Sequence, residues 1–377
     1  MKTSSLVKTI RPKTTLFKAL ALGSALLAGT ALTLAPSADA QQRLAIEDMS
    51  GAHAPLSPKS PPLPPRLKPR QAASGAINYQ NINRLFLVHK PPQAQAHGGL
   101  SPVPVPTVIV LHSTGGSPER VAELSKFNAY ADQFGFQVAY PAAVDRAWND
   151  GRPDSPGRAD VDDAGFMASL AGHLVDNFNA DPARLFLVGL AEGGMVAQQV
   201  ACDHSRLFAA VATINATLPE TVAARCQPSA PMPILMIHGT SDPFIPFRGG
   251  MSTHMGQPAG PVLGAFETAE AWTRSNGCIG DVSLRRFPDA EIADGSRVIA
   301  HRWNGCRTHA DVVLYEIERG GPTWPGVSDQ LNQLRKFVLG RPNMDIDAGE
   351  EIWSFFQYRD RVGSPLFDPA RSVSQLR

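Results

Sequence analysis

The chain has 377 residues, of which 43% are hydrophobic and 18% charged, and its formal net charge is +1. These values are typical of a globular protein that can form a sizeable core. A charge balance so close to zero gives no sign of nucleic-acid binding, which normally requires an excess of Lys and Arg on one surface.

The first 40 residues have the pattern of a secretory signal peptide. Basic residues between 2 and 18 precede a mostly apolar stretch at 19–35, and Ala38-Asp39-Ala40 places small residues at a cleavage site. The apolar stretch is shorter than the roughly 20 residues that span a bilayer, which favours cleavage over an uncleaved anchor. We therefore expect a secreted protein, periplasmic or extracellular, whose mature chain has no membrane span and is mildly acidic.

A proline-rich segment follows the predicted signal peptide. Residues 41–76 contain seven prolines and few large apolar side chains, a composition typical of an extended, semi-rigid linker. Its basic residues could contact acidic surface polymers, but a solvated tether is the simpler interpretation. We expect one folded domain over 77–361 and a tail at 362–377.

Strands and helices alternate along the predicted domain. Short apolar runs predict strands at 84–89, 107–111, 136–141, 185–188, 208–213, 233–238 and 312–317. Helical patterns lie at 118–134, from 162 or 163 to 178, at 195–202, at 265–276 and at 348–356. This alternation predicts an α/β fold with a mostly parallel central sheet and helices on both faces. Ligand sites in such sheets lie outside the carboxyl ends of the strands.

One predicted strand ends in the turn Gly189-Leu190-Ala191-Glu192-Gly193. The turn has the glycine frame of the G-x-S-x-G nucleophile elbow, in which small residues permit a strained bend that lifts a serine above the sheet. The central residue here is Ala191, and a methyl group cannot attack a carbonyl. Two later strand-end loops carry Asp242 and a glycine-rich segment at 320–326, in the Ser, Asp, His chain order of α/β-hydrolases.

The chain resembles the secreted polyhydroxybutyrate depolymerase and feruloyl esterase-like family of α/β-hydrolases over roughly residues 84–356. The stretches that carry the resemblance are VIVLHSTGG, FQVAYP, AWNDGR, DDAGFMASL, DPARLFLVGLAEGGM, ILMIHGTSDPFIP, NGC, VVLYEIERGGPTWPG and EEIWSFF. The resemblance implies an α/β-hydrolase fold. It also implies hydrolysis of extracellular polyesters, or of hydroxycinnamate esters on plant polysaccharide.

The resemblance also assigns the catalytic positions. In the family an elbow serine attacks, a histidine in the segment here written GGPTWPG takes its proton, and an aspartate orients that histidine. Here the acid is retained as Asp242, whereas the nucleophile position is Ala191 and the histidine position is Pro322. Without a hydroxyl no acyl-enzyme forms, and without an imidazole no base activates serine or water.

The leading functional hypothesis is therefore a pseudoenzyme. Its cleft would bind a polyester, a hydroxycinnamoyl ester or a glycan, or an envelope protein, without serine-esterase activity. The alternative is a weak esterase with a rearranged site, which would use Ser113 with His112, or Glu192 as a general base to water.

Binding residues are predicted on the loops around the elbow. The oxyanion hole should use the backbone N–H groups of Glu192 and of Thr114. A carboxylate at Glu192 would oppose a second negative charge there, although glutamate also suits the first turn of a helix. Trp148 and Trp324 flank the predicted crevice, where they either stack on an aromatic or sugar ligand or pack the loop bases.

The chain has four cysteines, at Cys202, Cys226, Cys278 and Cys306. An even count in a secreted chain favours two disulfides, with three possible pairings. Pairing neighbours along the chain closes loops of moderate size. Metal binding is not favoured, because no C-x-x-C motif or histidine cluster accompanies them, and no cofactor is predicted.

Overall fold

The computed structural model describes residues 73–92, 103–328 and 342–361. The predicted signal peptide, most of the predicted linker and the predicted tail lie outside these ranges. The first strand begins at Ala73, so the folded part of the chain starts before the expected boundary at Ile77. Within the described ranges no helix combines the length and the apolar character needed to cross a membrane.

The described residues form twelve strands and seven α-helices. The strands are β1 Ala73–Tyr79, β2 Ile82–His89, β3 Val105–Leu111, β4 Gln137–Pro141, β5 Ala180–Leu190, β6 Ala210–Ile214, β7 Ile234–Gly239, β8 Gly250–His254, β9 Gln257–Val262, β10 Val282–Arg286, β11 Arg297–Trp303 and β12 Val312–Glu318. The helices are α1 Pro118–Ser125, α2 Phe127–Phe134, α3 Asp163–Phe178, α4 Glu192–Asp203, α5 Glu220–Ala223, α6 Ala265–Asn276 and α7 Ala348–Phe356.

Ten of these strands form one sheet in the order β1-β2-β4-β3-β5-β6-β7-β12-β11-β10. The strands from β4 to β12 in this order are parallel. Antiparallel strands complete both edges. The predicted α/β fold with a mostly parallel sheet is therefore confirmed.

The core lies on both faces of this sheet. Helices α3, α4 and α6 pack on one face, and α1, α2 and α7 pack on the other. Successive side chains of β3 alternate between the two sides, with Ile109 and Leu111 in one core and Val108 and Val110 in the other. This explains why the strand appears in the sequence as an unbroken apolar run.

The predicted helices are present, with one interruption. Lys126 adopts the left-handed conformation, with φ 55°, and divides the helix expected over 118–134 into α1 and α2. Helices α6 and α7 have the predicted bounds. Asp162 caps α3, where its carboxylate accepts the Gly165 N–H at 2.8 Å.

The four cysteines form two disulfides. Cys202 pairs with Cys226, and Cys278 pairs with Cys306. Of the three pairings that the sequence allowed, the structure has the one that joins neighbours along the chain. Each link closes a loop of moderate length, for which chain entropy in the unfolded state gives a stabilisation of roughly 3 kcal/mol.

The sequence analysis missed β1, β10, β11 and the hairpin of β8 and β9. The hairpin segment is rich in Gly and Pro, which favours the interpretation of a loop. Its turn residues Met255 and Gly256 both have positive φ, at 49° and 80°, as a two-residue hairpin turn requires. The dipeptide Met255-Gly256 was thus a weak turn signal. The hairpin positions Ser252 and His254 near the elbow.

Candidate functional site

Ala191 lies in a sharp turn between β5 and α4. Its backbone has φ 50° and ψ −119°, a conformation that residues with a Cβ rarely adopt. The Ala191 N–H donates to the Ile214 carbonyl at 2.9 Å, which ties the turn to the end of β6. The Ala191 carbonyl accepts the N–H groups of Gly194 at 2.8 Å and Met195 at 3.1 Å, and so begins α4. The strained strand-to-helix bend of a nucleophile elbow is therefore retained around a methyl side chain.

The glycines of this turn are required by close backbone approach. A Cβ added at Gly189 would collide with the Gly193 carbonyl, and one at Gly193 would collide with the His112 carbonyl. A Cβ at Gly194 would press against the Ala216 side chain. These contacts explain why the glycine frame marks the elbow even though its serine is absent.

The backbone strain at Ala191 should be measurable through the effect of a substitution on the free energy of unfolding. A residue with a Cβ in such a conformation costs on the order of 1–3 kcal/mol, whereas glycine adopts it freely but loses roughly 0.5–1 kcal/mol more backbone entropy on folding. We expect Ala191→Gly to raise the free energy of unfolding by about 1 kcal/mol, measured by urea denaturation.

Ala271→Gly is the matched control, because Ala271 lies inside α6 and has no positive φ. There the same substitution should lower the free energy of unfolding by about 1 kcal/mol. A loss of stability at both positions would contradict a strained elbow.

Asp242, the predicted acid, follows β7. Its Oδ1 accepts the N–H groups of Phe244 at 2.8 Å and Ile245 at 3.0 Å. Its Oδ2 is buried, has no hydrogen-bond partner among the described residues and lies 3.8 Å from His238 Nε2, which itself donates to the Ile245 carbonyl. Burial raises the pKa of Asp242 to about 6. A buried carboxylate oxygen without a donor is the arrangement expected of an acid whose histidine partner is missing.

The loop of Pro322 lies beside the loop of Asp242. The Ser241 N–H donates to the Gly320 carbonyl at 2.9 Å, and Asn215 Nδ2 donates to the Thr323 carbonyl at 2.9 Å. These bonds join the loops that follow β6, β7 and β12 at their carboxyl ends. The structure therefore brings the predicted acid and the predicted histidine position into adjoining loops.

The predicted oxyanion-hole residues are in direct contact. The Thr114 N–H donates to Glu192 Oε2 at 3.1 Å. Glu192 is only 8% exposed, although it stands at the first position of α4. The carboxylate thus turns back over the loop that follows β3.

A buried charged cluster, absent from the sequence prediction, surrounds this carboxylate. The Arg152 guanidinium pairs with Asp150 at 2.6 Å and donates to Ser252 Oγ at 2.9 Å. Arg152 Nη2 lies 3.9 Å from Glu192 Oε1, and His254 Nδ1 lies 3.6 Å from the same oxygen. In the AWNDGR stretch the sequence analysis singled out Trp148 but not Asp150 or Arg152, and His254 lies in the hairpin that was missed.

Protonation in this cluster follows from its contacts. Burial raises the pKa of Glu192, but its contact with His254, the charge of Arg152 and the hydrogen bond from the Thr114 N–H leave that pKa below its usual value. The contact with Glu192 in turn raises the pKa of His254. Glu192 is therefore an anion at neutral pH, despite its burial.

His112 does not have the surroundings of a general base. Its Nδ1 donates to the Ser113 carbonyl at 2.8 Å, and its Nε2 accepts the Ala143 N–H at 3.2 Å. Burial lowers the pKa of His112, so the ring is held neutral with both nitrogens in use. The suggested Ser113–His112 pair therefore has no free imidazole nitrogen to activate the hydroxyl.

The two candidate ligand-stacking tryptophans are interior residues. Trp148 is 0% exposed, and its Nε1 donates to the His112 carbonyl at 2.7 Å. Trp324 is 1% exposed and meets the Phe127 ring edge to face. Neither ring presents a face to a ligand, so the structure corrects the stacking prediction in favour of loop packing.

The fold and the elbow define an α/β-hydrolase. The family model described as esterase PHB depolymerase matches residues 91–259. A putative esterase, NocK of Nocardia uniformis subsp. tsuyamanensis, is 33% identical over 260 residues, which cover 64% of this chain and 71% of that protein. The chain belongs to the PHB depolymerase family of esterases, in agreement with the resemblance seen in the sequence.

Two further similarities are weaker. Feruloyl esterase B of Piromyces equi is 28% identical over 183 residues, which cover 47% of this chain and 33% of that protein. Among solved structures, an acetyl xylan esterase from Aspergillus awamori aligns with a TM-score of 0.47 at 13% identity, covering 67% of this chain and 94% of that chain.

Proposed function

We propose that this protein is a secreted, ligand-binding member of the esterase family that has lost serine-esterase catalysis. Its ligand would be a polyester, a hydroxycinnamoyl ester or glycan, or an envelope protein. The observation that carries the proposal is Ala191 in a retained elbow, with no hydroxyl to attack a carbonyl. The unpaired Oδ2 of Asp242 and the proline at position 322 support it, because both indicate an absent histidine.

The two disulfides support the proposed location. Disulfides persist in oxidising compartments and are rare in the cytosol of most organisms. A periplasmic or extracellular position would also give the protein access to polymeric esters.

A weak esterase is the second candidate, supported by the contact between Glu192 and His254. A carboxylate beside an imidazole could in principle activate water. However, Glu192 already accepts the Thr114 N–H and lies beside Arg152. Those contacts keep the buried carboxylate ionised and its pKa low, and this weakens it as a base.

Two measurements on highly purified protein test the proposal. We expect no hydrolysis of p-nitrophenyl butyrate above the buffer rate. We also expect retention on at least one of three materials: polyhydroxybutyrate particles, feruloylated arabinoxylan or a cell-envelope fraction. The same chain after reduction and denaturation serves as the control for non-specific adsorption.

The outcomes separate the candidates. Hydrolysis that disappears in Glu192→Gln would establish the weak esterase. Absence of retention on all three materials would remove the support for a ligand-binding role.

A further inference from the structure

We propose that the Glu192 carboxylate is a built-in occupant of the former oxyanion hole, which closes the hole to the carbonyl group of any ester. The inference rests on the proposed function, because it takes Thr114 and Glu192 as the residues that frame the hole. It adds that the oxyanion hole of the site differs from that of an active esterase, as the nucleophile and base positions do.

The first support is the direct contact. An oxyanion hole consists of N–H donors directed at a developing negative oxygen. Here the Thr114 N–H is already directed at a negative oxygen, Glu192 Oε2, at 3.1 Å. One of the two donors predicted for the hole is therefore used within the chain.

The second support is the way the carboxylate is held. Its other oxygen, Oε1, lies 3.9 Å from Arg152 Nη2 and 3.6 Å from His254 Nδ1. Arg152 has a fully buried side chain, which Asp150 and Ser252 fix in place. The loop after β3, the loop after β4 and the β8–β9 hairpin thus converge on one carboxylate, and the helix dipole of α4 favours an anion at the same place.

Two consequences follow for a ligand. A carbonyl oxygen cannot reach the Thr114 N–H without displacing the carboxylate, and an oxyanion forming nearby would be repelled by it. If the carboxylate is removed, the Thr114 N–H and the Arg152 guanidinium become an anion site. The emptied site should take a small carboxylate from solution, with a dissociation constant on the order of millimolar because so few atoms make contact.

Hydrogen exchange at the Thr114 amide tests this directly, with acetate as the probe. The Thr114 amide should exchange at least about 10-fold more slowly in the native protein than in Glu192→Ala, because a hydrogen bond protects it. Acetate should restore protection in Glu192→Ala. Sodium chloride at equal ionic strength should not, and the native protein should respond to neither salt.

Glu192→Gln is the matched control. Its amide oxygen can still accept the Thr114 N–H, so protection should persist and acetate should have no effect. Glu192→Asp is a second test if Glu192→Ala does not fold, because the shorter side chain should leave Thr114 exposed to exchange.

Equal exchange at Thr114 in the native protein and in Glu192→Ala or Glu192→Asp would overturn the inference. An equal acetate response in the native protein and Glu192→Ala would also overturn it. The measurement uses no ester, so a failure to bind polyester or glycan would count against the proposed function alone.

Discussion

The triple variant Ala191→Ser, Pro322→His, Glu192→Ala is expected to hydrolyse p-nitrophenyl butyrate, while the double variant Ala191→Ser, Pro322→His stays near the buffer rate. The double variant restores a nucleophile and a base, and Asp242 Oδ2 is available to the new imidazole. Its oxyanion hole remains occupied by the Glu192 carboxylate. Loss of one oxyanion donor costs roughly 10²–10³ in kcat, so the triple variant should exceed the double variant at least about 100-fold.

The single changes give the controls for this gain of activity. Each of the three single variants should remain inactive, because each still lacks the serine, the histidine or both. Adding Asp242→Asn to the triple variant should remove most of the new activity, since the histidine would lose the group that orients it. A double variant as active as the triple variant would show that Glu192 does not block the hole.

The second large expected effect is a pH-dependent change in the free energy of unfolding of Asp242→Asn. Burial raises the pKa of Asp242 to about 6, and the unfolded value is about 3.9. The native state therefore holds this proton over a pH range in which the unfolded chain releases it. By linkage, the contribution of Asp242 to stability is greatest below about pH 4 and is lost as the pH rises to 6.

A neighbouring histidine has the opposite effect over the same range. Burial lowers the pKa of His238 to about 4, against an unfolded value of about 6.5. Its contribution is present above about pH 6.5 and is lost as the pH falls towards 4. In the native protein the two dependences oppose each other.

Asp242→Asn removes the pH dependence that comes from the carboxyl group and leaves the one that comes from His238. The asparagine oxygen can still accept the N–H groups of Phe244 and Ile245. We expect the free energy of unfolding of the variant to rise clearly from pH 4 to 6.5. At pH 7 it should exceed that of the native protein by up to roughly 3 kcal/mol, because each pKa unit corresponds to about 1.4 kcal/mol. Urea denaturation across this pH range provides the measurement.

Asp281→Asn is the matched control, because Asp281 is exposed. It should change stability by less than about 0.5 kcal/mol and leave its pH dependence as in the native protein. Parallel pH profiles for Asp242→Asn and the native protein would mean that the buried carboxyl does not titrate as described.

Several features of the site were predictable because they depend on local rules. Residues 107–111 indicated a strand buried on both faces, since only such a strand lacks polar alternation. The glycines at 189, 193 and 194 indicated the elbow, since they mark places where a Cβ does not fit. The resemblance then placed the acid at Asp242 and the two substituted positions at Ala191 and Pro322.

Other features were not predictable from local patterns. A left-handed residue at Lys126 divides a helix that the hydrophobic pattern alone predicted as continuous. The hairpin that carries His254 was not predicted, because glycines and prolines in its segment indicated a loop. The sequence favoured packing for the ring of Trp148 and left open whether the ring of Trp324 lines a crevice or packs below it. The outcome depended on residues distant in sequence.

The sequence by itself determined the α/β architecture and the elbow frame. These follow from periodicity, backbone sterics and residue identity, which act over a few residues. Only the tertiary structure decided the contacts of Glu192 and the choice of disulfide pairing. The carboxylate of Glu192 meets an N–H group 78 residues away and the side chains of Arg152 and His254, which come from two further segments. Such contacts form only when separate loops are brought to one edge of the sheet.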